Sequence, residues 1–108
     1  MSNESEDDRI YKALGHFRRR DILDRLKDNP QTTGALCEAM PDLDRCTVMQ
    51  HLTVLEDADL IIVKRQGRER WNYLNPLPIR AIHNRWISQY ATGAVDLLGR
   101  LKRDVERS

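Results

Sequence analysis

The sequence predicts a mainly α fold carrying a small β-hairpin, and three features between Asp44 and Leu74 carry that prediction. Val48, Leu52 and Leu55 recur at i, i+4 and i+7, and Ala58 extends the row, so they share one face of a helix. Asp44 precedes the run and can accept the N–H groups of a first helical turn. Past Asp59-Leu60, the β-branched Ile61-Ile62-Val63 leads into a basic stretch from Lys64 to Arg70, followed by Trp71-Asn72-Tyr73-Leu74. A helix with a polar outer face, followed by two extended segments around a basic turn, is the order of a winged helix-turn-helix. The full order is four helices, two strands and a fifth helix.

Taken from the start, residues 1–8 read as a disordered acidic lead, although Ser5 with Asp8 three residues on offers a helix start. Ile10 and Leu14, with Phe17, give the first helix a narrow apolar stripe, and Gly15-His16 breaks it. The second helix covers Arg18 to Lys27 with Ile22, Leu23 and Leu26 inward, and Asp28-Asn29-Pro30 stops it. Thr32 or Thr33 caps a third helix through Met40, with Leu36 and Cys37 inward. Pro41 to Asp44 is the turn into the fourth helix, short enough for a helix-turn-helix. Gly67 supplies the permissive backbone a tight hairpin needs. Trp71 and Tyr73 alternate with Asn72 and Leu74, as a half-exposed strand does.

Asn75-Pro76-Leu77-Pro78 leads into a long last helix, Ile79 to Val105. Its stripe is Ile82, Trp86, Tyr90, Ala94, Leu97, Leu101 and Val105, widened by Ile79, Ile87 and Leu98. A small winged domain cannot cover so long a stripe, so part of it is expected to meet another chain; Gly93 marks a bend or a close crossing. The chain therefore divides into an acidic lead (1–8), a winged helix-turn-helix domain (9–78) and a dimerisation helix (79–105).

With 108 residues, 18 Lys and Arg against 17 Asp and Glu, the chain is one domain of net charge +1. Residues 1–8 hold four acids and no base, so the remainder carries +5. Bases cluster at Arg18-Arg19-Arg20 and from Lys64 to Arg70. Either cluster alone is ordinary solvated surface; two flanking one polar helix suit a nucleic-acid backbone. No apolar run is long enough to cross a membrane, and no signal segment opens the chain, so a cytoplasmic protein is expected. Cys37 and Cys46, on different helices, suit a reducing compartment.

Three segments resemble the ArsR-type winged helix-turn-helix transcriptional regulators. Leu14-Gly15-His16-Phe17-Arg18-Arg19-Arg20-Asp21-Ile22-Leu23 resembles the family's opening segment, with Phe17 where a proline is usual. Asp44 through Leu60 resembles its recognition helix and exit, with Asp59 in place of the usual glycine. Gly67 through Pro76 resembles its wing and the entry to the last helix. Each segment alone is common, and the three in order at matching spacing carry the resemblance. It implies a homodimer built from the first and last helices, through Ile10, Leu14, Ile82, Trp86, Tyr90, Leu97, Leu98 and Leu101. It also implies one recognition helix per subunit in successive major grooves of double-stranded operator DNA, and repression or derepression at a promoter. Metal sensing does not carry over. The family's thiolate site uses a closely spaced cysteine pair where this chain has only Cys37, and His83 has no second histidine beyond it. No cofactor is expected.

The candidate recognition residues are those off the apolar stripe of the fourth helix: Arg45, Cys46, Thr47, Met49, Gln50, His51 and Thr53. Gln50 can pair bidentately with an adenine edge, Arg45 can reach guanine or phosphate, and Thr47 can set its methyl against thymine. His51 either touches phosphate or hydrogen-bonds within the domain. Lys64, Arg65, Arg68 and Arg70 of the wing are candidates for phosphate or the minor groove, and Arg18 and Arg19 for phosphate. Trp71 reads as hairpin packing rather than a stacking platform. No nucleophile with a base at recognisable spacing and no glycine-rich phosphate loop is present, which argues against an enzyme. Two alternatives stay open: a winged-helix protein-interaction module, and a redox or small-molecule sensor using Cys46 or a cavity at a dimer interface.

Overall fold

Capping begins the described chain. A computed structural model of the protein describes residues 5–87 and 92–107. Ser5 Oγ accepts from the Asp8 N–H at 3.2 Å while Asp8 Oδ2 accepts from the Ser5 N–H at 3.4 Å, a reciprocal capping box that starts α1 (Glu6–Leu14). Residues 5–8 are thus the cap and first turn of a helix, where their acids meet its positive end, rather than part of a disordered lead. Residues 1–4 lie outside the described residues.

Gly15 ends α1, and His16 caps α2 (Phe17–Leu26) by accepting the Arg18 N–H on Nδ1 at 3.1 Å. Phe17 therefore opens the second helix, and it is 61% exposed rather than part of the first helix's stripe. Thr32 caps α3 (Thr33–Ala39), accepting the Ala35 N–H at 3.1 Å, while Thr33 is buried. Asp44 caps α4 (Arg45–Asp57), accepting the Thr47 N–H at 2.7 Å. The last turn of α4 closes on two bonds, Leu60 N–H to Leu55 O and Asp59 N–H to Glu56 O, both at 2.9 Å. That pattern needs a left-handed residue after the cap, and Asp59 supplies it with φ of 58°. Aspartate is one of the few non-glycine residues that visit this region readily.

Strands β2 (Ile61–Gln66) and β3 (Glu69–Leu74) pair antiparallel across a two-residue loop, with Gln66 opposite Glu69 and Gly67 at φ 62°. A third strand, β1 (Gln31–Thr32), pairs with β3 through Gln31–Asn72 and Thr32–Trp71, giving the order β1-β3-β2. Two residues have no period to read, so β1 was absent from the sequence expectation. The pairing carries Asn72 to full burial, where its amide donates to Gln31 O at 3.2 Å and Thr33 Oγ1 at 3.1 Å.

The core lies where α1, α2, α3 and α4 meet the base of the sheet. Ile22, Leu36, Val48, Leu52, Leu55 and Leu60 are fully buried there. The last helix departs from expectation. It begins two residues early, because Pro76 stands at the N-cap and Pro78 in the first turn, where a missing N–H costs nothing. α5 (Leu77–Ile82) then passes into a π-helical turn, His83–Ile87; residues 88–91 lie outside the described residues, and α6 spans Thr92–Arg107. Tyr90 lies outside the described residues, and Gly93 falls inside α6. Arg85 of the π turn reaches back to Asp7 of α1 at 2.5 Å. No helix among the described residues is long and apolar enough to cross a membrane.

Candidate nucleic-acid interface

Burying Val48, Leu52 and Leu55 turns the opposite side of α4 outward. Arg45, Cys46, Gln50 and Thr53 are exposed there, and Thr47 and Met49 half-exposed. The Thr53 hydroxyl donates to Met49 O at 2.9 Å, which leaves its lone pairs and methyl for an outside contact. Arg45, Met49, Gln50 and Thr53 line one open groove with Cys46 and Val54. On the wing side, Arg45 and Met49 face Arg65, Arg68 and the partly buried Arg70 across a cleft of about 400 Å³. Arginines from two elements thus converge beside the polar face of the helix. Lys64 lies opposite Trp71 in the hairpin, on the other face from Arg65.

Besides Thr53, four of the sequence candidates have partners inside the chain. Arg18 forms a double hydrogen bond to Asp42, Nη1 to Oδ1 at 3.2 Å and Nη2 to Oδ2, clamping the start of α2 to the turn before α4. The guanidinium holds the Asp42 carboxyl below its usual range. Arg19 caps the end of α1, with Nε donating to Ala13 O at 2.8 Å and Nη2 to Lys12 O at 3.1 Å; Arg20 does the same for Leu14 O at 2.7 Å. Cations at a helix C-terminus satisfy carbonyls that have no helical partner. Arg18 and Arg19, the candidates for phosphate contact, therefore bond within the chain, as does Arg20. Arg70 turns inward, and its Nη2 donates to Glu56 Oε1 at 3.1 Å. The strand period placed Arg70 on the face of Asn72 and Leu74, the one signal that could have shown this.

His51 is the fourth. It is half-buried on α4, with its ring 4.6 Å from that of His16, which in turn stacks on Phe17 at 5.2 Å. Burial first, then the charges of His16, Arg19 and Arg18, push its pKa below the ordinary histidine value. The neutral form is the one the fold favours.

Of the residues expected at a dimer contact, Ile10 is buried in the chain's own core, and Leu14 and Ile82 pack against it. Trp86, Leu97, Leu98 and Leu101 stand 48% to 63% exposed. Cys37 is half-buried and Cys46 exposed, both as free thiols. Among the described residues, no three His, Cys, Asp or Glu side chains are grouped so as to hold a metal ion.

Residues 9–64 match the model of a helix-turn-helix domain family. The HTH-type transcriptional regulator Rv2034 of Mycobacterium tuberculosis (strain ATCC 25618 / H37Rv) is 33% identical over 101 residues, covering 91% of this chain and 94% of that protein. The transcriptional repressor SdpR of Bacillus subtilis (strain 168) is 32% identical over 66 residues, 61% of this chain and 72% of that protein. Among solved structures, an ArsR family transcriptional regulator, RHA00566, superposes with a TM-score of 0.73 at 29% identity, over 79% of this chain and 92% of that one.

Proposed function

The chain belongs to the ArsR family of winged helix-turn-helix transcriptional regulators, and from that premise we propose that it is a dimeric repressor of double-stranded operator DNA. The observation that carries this reading is that Arg45 and Met49, which belong to the exposed row of α4 with Gln50 and Thr53, also share a cleft with the wing residues Arg65 and Arg68. A helix of this width enters a major groove. There Gln50 offers a donor and an acceptor to adenine, Arg45 two donors to guanine or a phosphate, and Thr47 a methyl to thymine. Arg65, Arg68 and Lys64 reach the flanking backbone or minor groove and supply affinity that does not depend on sequence.

Dimerisation is supported by Leu97, Leu98 and Leu101 of α6, which stand 58% to 63% exposed, and by Trp86, 48% exposed. Two copies related by a two-fold axis would set their α4 helices about one duplex turn apart. Occupying a promoter in this way excludes other proteins from it, and the similarity to a repressor supports that outcome.

The test is a titration of the parent protein, Gln50→Ala and Arg68→Ala against operator and scrambled duplexes at several salt concentrations. Gln50→Ala removes discrimination at one position per half-site, worth ~1–3 kcal/mol per bidentate contact, and leaves scrambled DNA binding unchanged. Arg68→Ala weakens both duplexes alike and shallows the log–log salt slope by about one unit per lost phosphate contact in each subunit. Intact base preference in Gln50→Ala moves the reading role to Arg45 or Thr47. A parent that prefers no duplex sequence ends the repressor reading in favour of a protein-binding module.

A further inference from the structure

The wing is anchored unevenly. β1 pairs with β3 only at Asn72 and Trp71, so beyond Trp71 the hairpin toward its tip is two-stranded. A two-stranded hairpin is marginally stable by itself. The inner face of β3 carries Arg70, Asn72 and Leu74, and the first of these is the residue nearest the tip. Arg70 lies directly opposite Arg65 across the strands, and like charges in that position repel. Yet the Arg70 side chain is only 17% exposed and its Nε is buried, while Nη2 bonds Glu56 in the last turn of α4 at 3.1 Å. Glu56 thus supplies the opposite charge that lets Arg70 sit inward, and the pair spans from the recognition helix to the outer half of the wing.

We infer that Arg70 is not one of the DNA-contacting cations but a positioning residue: with Glu56 it forms a strut that fixes the angle between wing and recognition helix, and so aims Arg65 and Arg68. This rests on the DNA-binding reading for its consequence, though not for its geometry. The strut gives Glu56 a sign opposite to the one bare electrostatics would give. Removing an acid near a polyanion's site tightens binding if that acid is merely solvated. Here its removal weakens binding, because the wing loses its orientation.

The experiment compares Glu56→Ala, Arg70→Ala, the double variant, and the exchanged pair Glu56→Arg/Arg70→Glu. Each is measured for operator affinity against salt and for amide hydrogen exchange of the wing. Both single variants lose operator affinity by about two- to tenfold, and the double variant loses no more than either. The salt slope stays that of the parent. Wing amides exchange faster in all three while amides of Leu52 and Leu55 stay protected, and the exchanged pair recovers part of both. Tighter binding by Glu56→Ala overturns the strut, as does a slope reduced by about one unit per subunit in Arg70→Ala alone. Unchanged wing exchange in both single variants overturns it as well. If the parent binds no duplex, the repressor reading falls and the exchange measurement alone decides the strut.

Discussion

His51 illustrates how a residue on α4 can pack against the fold rather than join the exposed polar row. Its ring leaves the polar row, packs against His16, and lies within the influence of Arg18 and Arg19. All of these, and burial above all, disfavour its protonated form. The consequence for stability has a definite sign. Above the ordinary histidine pKa, near 6.5, folded and unfolded chains both carry a neutral ring and His51 has no pH effect. As pH falls through about 6.5 the unfolded chain takes up a proton first, so stability declines until the lower folded pKa is reached. The thermal midpoint of the parent therefore drops between about pH 7 and about pH 5 more steeply than that of His51→Gln. Equal slopes in the two proteins would show that His51 is not the group held neutral. The sequence left His51 undecided between phosphate and an internal contact, because its partner His16 lies on another helix and no local pattern joins them.

At the level of elements, what was legible was what neighbouring residues decide. Val48, Leu52 and Leu55 set the buried face of α4, Asp44 its start, and Gly67 the hairpin turn, since each acts within one turn of chain. What was not legible depends on distant pairing. Arg18 meets Asp42 across 24 positions and Arg70 meets Glu56 across 14. The two residues of β1 become a strand only because Trp71 and Asn72 come to lie beside them. The π turn at His83–Ile87 is a change of hydrogen-bond register that leaves apolar spacing almost intact, so the last helix read as uninterrupted. The Asp44 cap gives the clearest element-scale prediction. Asp44→Ala leaves the Thr47 N–H without its side-chain acceptor and lowers the stability read from chemical denaturation at neutral pH. The cap also holds the Asp44 carboxyl below its usual pKa, chiefly through that backbone bond. Its contribution is accordingly complete above about pH 4 and fades as pH falls further, so parent and variant converge in acid. A constant gap down to the acid limit would assign the effect to something other than the ionised cap.

For the whole molecule, the question is how a domain whose core is finished by α1 to α4 and the sheet comes to carry α6. Leu97, Leu98, Leu101 and Val105 are each 58% or more exposed on that helix, too much apolar surface to leave in water without a role. A second copy covers it in the account given above, with Trp86 adding an aromatic anchor. Replacing Leu97 and Leu101 together with Glu is expected to yield monomers by light scattering at micromolar concentration, with the domain still folded and operator affinity reduced. A dimer of undiminished mass would locate the contact elsewhere. Dimerisation and base reading make a joint prediction that neither makes alone: a site with two-fold symmetry. The most direct measurement is selection of bound duplexes from a randomised library by the purified protein. The expected result is an inverted repeat whose half-sites lie about 10–11 base pairs apart, centre to centre, with one position in each lost when Gln50 becomes Ala. Recovery of duplexes with no shared sequence and no repeat would contradict it.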